Sequence, residues 1–319
     1  MRLSAGIGIG LVVLALLASG YVTPYQLTFL LQTYMMIALA QAWNLISGMT
    51  GYVSFGHAVF FGVGAYVGTL LLLAGLPWGL CMGGAALLTL LLALPLGMLT
   101  LRLRGPYFSI AMLGLNEVGR ITATLWVSLT QGGDGIALTP ALLPPLLSSY
   151  YAMLAMAVVS TVAIALVRRS RYGLDLRAIR GDEGAAEMLG VNTTLNKVLA
   201  FMSSAVVPGA VGAVYAMYTS FIDPISVFPA ALNVEMIVMV LLGGRGTVWG
   251  PVIGAVMIMS VREFTWVQFP ALHLALLGVL LIVVVLYLPD GILSIAPKPR
   301  RVRPDQYVQE KMSAYDGTL

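Results

Sequence analysis

Trp78-Gly-Leu-Cys-Met-Gly-Gly-Ala-Ala-Leu-Leu-Thr-Leu-Leu-Leu-Ala-Leu-Pro-Leu-Gly-Met-Leu-Thr100 carries no charged side chain over its whole length. At about 1.5 Å per residue, such a run crosses the ~30 Å hydrocarbon core of a bilayer as a helix, which satisfies its own backbone groups without water. Similar apolar segments run near 3–19, 25–47, 54–75, 107–129, 149–167, 198–220, 232–243, 248–268 and 271–288. The fold class read from them is all-α, a polytopic membrane helix bundle of about ten apolar segments. The segment Leu232 to Gly243 is too short to cross comfortably. It is read either as a re-entrant half-helix or as a span that needs its flanks.

Composition excludes a soluble globule. Of the 319 residues 59% are hydrophobic and 9% charged, against about 25% charged in soluble domains, and the mean hydropathy is +0.94. Lipid must cover what water would not. The single cysteine, Cys81, cannot form an intrachain disulfide, and His57 and His273 lie far apart. No cluster of ligand residues at metal spacing exists, so neither a metal nor a cofactor is expected.

A net charge of +4 could point to nucleic acid, but the basic residues are sorted by position instead. With the N-terminus inside, Arg102, Arg104, the stretch Arg168 to Lys197, Arg245 and the tail from Lys298 all fall on one side. The opposite loops, near 20–24, 75–78, 130–148, 221–231 and 269–271, contain no Lys or Arg. The positive side is cytoplasmic, so both termini are expected there, and Arg120 and Arg262 alone lie within spans. Arg2, the apolar run after it and Ala18-Ser19-Gly20 also resemble a signal peptide, but the run is slightly long for one and is read as a first span. Residues 1–297 then form one membrane domain with a polar insert at 168–197, and 298–319 a basic cytoplasmic tail.

The chain lacks an engine of its own. None of Lys197, Lys298 and Lys311 follows a glycine, so the phosphate-cradling G-x-x-x-x-G-K-[ST] loop is absent. Nothing marks a nucleophile beside His57 or Glu117, and no enzyme is expected. In the insert, Asp182 can cap a short helix whose first turn carries Glu183, and Gly190 can end it in the left-handed conformation. A helix of about two turns is marginal alone, so it either packs against something or rests on the membrane surface.

Asp182-Glu-Gly-Ala-Ala-Glu-Met-Leu-Gly190 resembles the coupling-helix motif of ABC importer permeases, in which Ala-Ala, three residues and Gly form the helix that docks on the ATPase. The leading acid, Glu183, stands one place early, ahead of Gly184. Three more stretches resemble the membrane subunits of branched-chain amino acid importers, the M-type subunit above all: Trp43-Asn-Leu-Ile-Ser-Gly-Met-Thr-Gly-Tyr-Val-Ser-Phe-Gly-His57, Arg102-Leu-Arg-Gly-Pro-Tyr-Phe108 with Thr130-Gln-Gly-Gly-Asp-Gly135, and Leu242-Gly-Gly-Arg-Gly-Thr-Val-Trp-Gly-Pro251. The resemblance implies a permease subunit of the bacterial inner membrane that forms the substrate pathway. Its partners would be a related H-type permease, two ATP-binding cassette ATPases and an extracytoplasmic binding protein. Asp182, Glu183, Ala185, Ala186, Glu187 and Gly190 would couple it to the ATPase, the two small alanines permitting close approach. Relatives that carry urea, amides or aromatic acids leave the cargo open, and a stand-alone secondary transporter or channel is the rival reading.

Within the spans, Asn44, His57, Asn116, Glu117 and Arg120 are the candidate pathway residues. Glu117 and Arg120, three apart, share a helix face and can pair, either facing the bundle or lining the pathway. For His57, after Gly56, a helix-start role competes with substrate contact. Hydrogen bonds between helices would equally satisfy Asn44, Ser54 and Asn116. Glu235, Arg262 and Glu263 can snorkel and receive no role. Gly246, Gly250 and Gly254, like Gly64 and Gly68, make small-residue stripes suited to close packing within the bundle or at a subunit interface. Finally, Gly48-x-x-Gly51-x-Val53 echoes Gly243-x-x-Gly246-x-Val248, which is either a trace of an internal repeat or coincidence.

Overall fold

The computed structural model describes residues 23–268 together with 278, 291 and 292. The expected segment 3–19, nearly all of 271–288, the tail 298–319 and both termini lie outside the described residues. Helix α1 (Pro24–Trp43) opens with a capping box, Thr23 and Gln26 each bonding the other's backbone, and Pro24 fills its first turn. It runs on through a π-turn at Asn44–Gly48. After a loop follow α2 (His57–Leu73), α3 (Trp78–Thr100) and α4 (Pro106–Leu125). The single turn α5 (Val127–Thr130) leads into a surface loop, then α6 (Leu146–Arg169), α7 (Arg171–Gly181) and α8 (Glu183–Met188). Helix α9 (Thr193–Thr219), the turn α10 (Pro224–Val227), α11 (Ala230–Gly243) and α12 (Gly250–Gln268) complete the order.

Helices α1 and α9 are the buried axis. Helix α9 packs chiefly on α2 and α3, and α1 on α6. Close approach is set by glycine: a Cβ on Gly64 would stand 2.1 Å from the Gly209 carbonyl oxygen, and one on Gly68 would stand 2.4 Å from the Ala213 Cβ. The stripe at 250 and 254 is used likewise, Gly254 lying against the Met239 carbonyl. Both stripes therefore serve packing within the chain. Helix α3 sits outside, with Leu80, Leu87, Leu91 and Leu99 exposed, as suits a lipid-facing helix.

Among the described residues five segments are long and apolar enough to cross a membrane: Pro24–Gly48, Trp78–Thr100, Leu146–Arg169, Thr193–Thr219 and Pro224–Gly243. The last joins α10 and α11, so the segment that looked short at 232–243 gains length from its N-terminal flank. Two details go beyond the sequence reading. A small antiparallel pair, β1 (Ile136–Ala137) with β2 (Phe221–Ile222), matches Ile136 to Ile222 and straps the 131–145 loop onto the end of α9. The polar insert holds an additional helix, α7, capped by Ser170 and anchored by Leu176 and Ile179. Its inward positions fall three apart among many charges, which makes a weak periodic signal.

Candidate functional site

Helix α8 forms as its ends dictate. Asp182 Oδ1 accepts from the Ala185 amide at 2.9 Å, and at the far end Gly190 takes φ 84° while its amide bonds the Glu187 carbonyl. The helix is tied down on one side only. Ala186 is 2% exposed and turned into the chain, whereas Ala185 and Gly184 face outward. Of the two alanines expected to meet a partner, Ala186 instead packs the helix onto its own protein. The apolar pair that follows points out, with Met188 91% and Leu189 83% exposed.

The two acids of α8 are also engaged internally. Glu187 accepts a hydrogen bond from Thr193 Oγ1 at 2.6 Å. Glu183 pairs with the buried Lys197, and the Tyr52 hydroxyl donates to its other oxygen at 2.6 Å. Lys197 further donates to the Tyr52 oxygen at 3.2 Å and to the Leu101 carbonyl at 3.4 Å, and lies 4.9 Å from the Tyr52 ring centre. Burial by itself would raise the Glu183 carboxyl, but hydrogen bonds from Lys197 and Tyr52, with the charges of Lys197 and Arg104, hold it below the ordinary carboxylate range. Burial and the bond to Glu183 push the Tyr52 phenol up. Nearby, Arg180 Nη1 donates to the Gly48 carbonyl at 2.7 Å, which fastens α7 to the π-turn.

Asn44 and His57 are wholly buried and saturated. Asn44 donates to the Thr247 carbonyl at 2.9 Å and accepts from the Gly246 amide at 2.7 Å. The echoing glycine segments thus lie against each other, and a Cβ on Gly48 would meet the Gly246 nitrogen at 2.8 Å. Gln41 adds a bond to the Val248 carbonyl at 2.8 Å. His57, first residue of α2, has Nδ1 2.9 Å from Ser54 Oγ and Nε2 3.0 Å from Ser204 Oγ. Asn44 ties the π-turn to the loop after α11, His57 ties the start of α2 to the middle of α9, and each polar atom of the two side chains has a partner within the protein.

Asn116 is buried on α4 and donates to the Phe228 carbonyl at 3.1 Å, while its Oδ1 has no partner among the described residues. Asn233 accepts from the Ala58 amide at 2.9 Å and likewise keeps its Nδ2 unmatched. Glu117 and Arg120 do pair, Arg120 Nε lying 3.1 and 3.0 Å from the two carboxylate oxygens. Their face, however, is not turned into the bundle that the described residues form. With side-chain exposures of 51% for Glu117 and 34% for Arg120, they project from the outer side of α4. The five candidate pathway residues therefore do not converge on one cluster within this chain. Outside α4, Arg262 and Glu235 stand 3.6 Å apart and neutralise each other. Among the described residues no three His, Cys, Asp or Glu side chains are grouped to hold a metal.

Sequence reading missed Lys197, Tyr52, Ser204 and Asn233. Lys197 carried a signal, since it opens an apolar span with no acid in the adjacent turn, but Tyr52 lies 145 positions away.

Comparison with known proteins places this architecture. The chain is similar to the high-affinity branched-chain amino acid transport system permease protein LivM of Salmonella typhimurium (strain LT2), 28% identical over 306 residues that cover 86% of this chain and 71% of that protein. LivM of Escherichia coli (strain K12) is 28% identical, covering 82% of this chain and 68% of that protein. The LivH permease protein of E. coli K12 is 25% identical, covering 82% and 91%. No solved structure matches the chain with significance. The family described as branched-chain amino acid transport system / permease component matches residues 25–285, and the chain belongs to that family: it is a permease component of a multi-pass membrane transporter.

Proposed function

We propose that this permease subunit imports branched-chain or other apolar amino acids across the bacterial inner membrane, paired with a second, homologous permease. Two cytoplasmic ATPases drive it, and an extracytoplasmic binding protein delivers substrate. The carrying observation is α8: a capped helix at the arginine-rich end whose inner face is bonded to the chain while Gly184, Ala185, Met188 and Leu189 are offered outward. An exposed apolar tip on so polar an insert suits docking into a groove of another protein. ATP binding shifts the permease between two access states only through contacts that differ between them, and α8 is where such contacts would be made.

The outward Glu117–Arg120 pair supports the pathway assignment. It lies about 17 Å along α4 from Pro106 at 1.5 Å per residue; with α4 in the bilayer, as the sequence reading of 107–129 has it, this is near mid-hydrocarbon, where each charge facing lipid costs about 2.5–3.5 kcal/mol. This face therefore suits the second permease and the polar passage between the two subunits, in which a zwitterionic amino acid finds both charges matched. Leu189→Asp should release the ATPases during purification while leaving the permease pair intact; retained ATPases would refute the docking role of α8. Replacing Glu117 and Arg120 together by leucine should preserve folding and abolish leucine uptake by the reconstituted complex, and normal uptake would remove the pair from the pathway.

A further inference from the structure

The acid that opens α8 does not reach outward. Glu183 turns back to Lys197 and Tyr52, and Lys197, 4% exposed, holds three acceptors at once: the Glu183 carboxylate, the Tyr52 oxygen and the Leu101 carbonyl. Each acceptor belongs to a different part of the membrane domain. Tyr52 lies in the loop between the π-turn and α2, Leu101 ends α3, and Lys197 itself stands in the first two turns of α9. From Tyr52 the loop continues to Ser54, whose carbonyl accepts from the Trp43 indole at 2.7 Å and whose hydroxyl meets His57. A continuous set of bonds thus joins the partner-facing helix to the buried axis.

An apolar cluster of equal volume would hold α8 at least as firmly, because a buried ion pair gives up much of its attraction to desolvation. What the ionic form adds is direction: a lysine fixed by three separate acceptors moves only if all three segments move with it. From this we infer that Lys197, with Glu183 and Tyr52, is the positioning centre that transmits movement of α8 to α3, α9 and the α1–α2 loop, so that ATP-driven motion becomes a change of access. The inference rests on the reading that α8 meets the ATPase. Met188 and Leu189 make the contact; Lys197 converts it.

The test uses the complete complex, co-expressed with its native partners and reconstituted in liposomes, with radiolabelled leucine as the probe. In Lys197→Met and in the neutral double variant Glu183→Gln/Lys197→Met, the ATPases should still co-purify and hydrolyse ATP, while leucine uptake per ATP falls about tenfold or more, within the usual range for coupling between sites. Tyr52→Phe keeps the ring and removes one bond, so its uptake per ATP should fall in the same direction by a smaller factor. If the lysine variants fail to fold, Tyr52→Phe decides alone, and wild-type coupling in it overturns the inference. Wild-type uptake per ATP in the double variant also overturns it. So does loss of the ATPases from an intact double variant, since the centre would then merely hold α8 in place. Leu189→Asp distinguishes the two levels: if it keeps its ATPases, the docking reading fails and this inference with it, whereas release by Leu189→Asp together with normal coupling in the double variant sinks this inference alone.

Discussion

Glu183 sits where burial and charge compete, and the balance sets a pH dependence for the attachment of α8. Its carboxyl titrates below the ordinary 4.5 because Lys197 and Tyr52 bond the ionised form more strongly than burial disfavours it. A depressed carboxyl contributes attachment that is complete above its free-chain value and lost as pH falls through the folded one. Protection of the 183–190 amides, taken relative to the intrinsic exchange rate at each pH, should therefore hold from neutral pH down to about 4.5 and fall below it. Glu183→Gln should show lower protection at neutral pH and lose the acid step. A wild-type profile that is flat into strong acid would show that the carboxylate does not fasten the helix.

Between elements, glycine decides how near two helices come. Position 64 on α2 meets the Gly209 backbone of α9 with no room for a side chain, whereas Gly79 at the start of α3 has nothing within 4 Å of an added Cβ. Gly64 stands four from Gly68, the stripe legible in the sequence, but Gly79 stands four from Gly83 as well, so spacing alone does not separate the two positions. Gly64→Val should force the two helices apart and cost about 3 kcal/mol or more, read as loss of the folded, monodisperse protein in detergent. Gly79→Ala should be neutral or stabilising by up to about 1 kcal/mol, since alanine is the better helix former. Equal behaviour of the two variants would contradict the α2–α9 packing.

At the scale of the whole molecule, the length of α9 fixes which parts lie on opposite sides. Its 27 residues span about 40 Å, with the α8 insert before its start and the β1–β2 strap at its end. Single cysteines at Gly133 and Ser226, both exposed at the strap end, should react with an impermeant thiol reagent from outside the cell, and one at Gly184 only after the membrane is opened. Labelling of Gly184 from outside would invert the orientation and remove the ATPase from α8. The exposed charged pair on α4 and the exposed apolar tip of α8 then mark two separate surfaces of one subunit, one in the membrane plane and one beyond it.

Sequence by itself determined what depends on composition and local period: a helical membrane protein, the grouping of its basic residues into a few stretches, the Asp182 cap and the Gly190 stop of α8, and the motifs that carry the family resemblance. These features are local, so a window of residues contains their cause. The α7 helix escaped because its buried stripe is sparse among charges, and the strap between 136 and 222 escaped because strand pairing leaves no mark in so short a segment. Only the tertiary structure decided which way side chains point. It turned Ala186 inward and Glu117 outward, engaged Asn44 and His57 in bonds between helices and loops far apart in sequence, and brought Tyr52 and Leu101 to Lys197. The two echoing glycine segments came into contact although 195 positions separate Gly48 from Gly243. Such contacts depend on how the helices rotate against one another. That rotation is set by packing summed over the whole bundle, which no single stretch of sequence records.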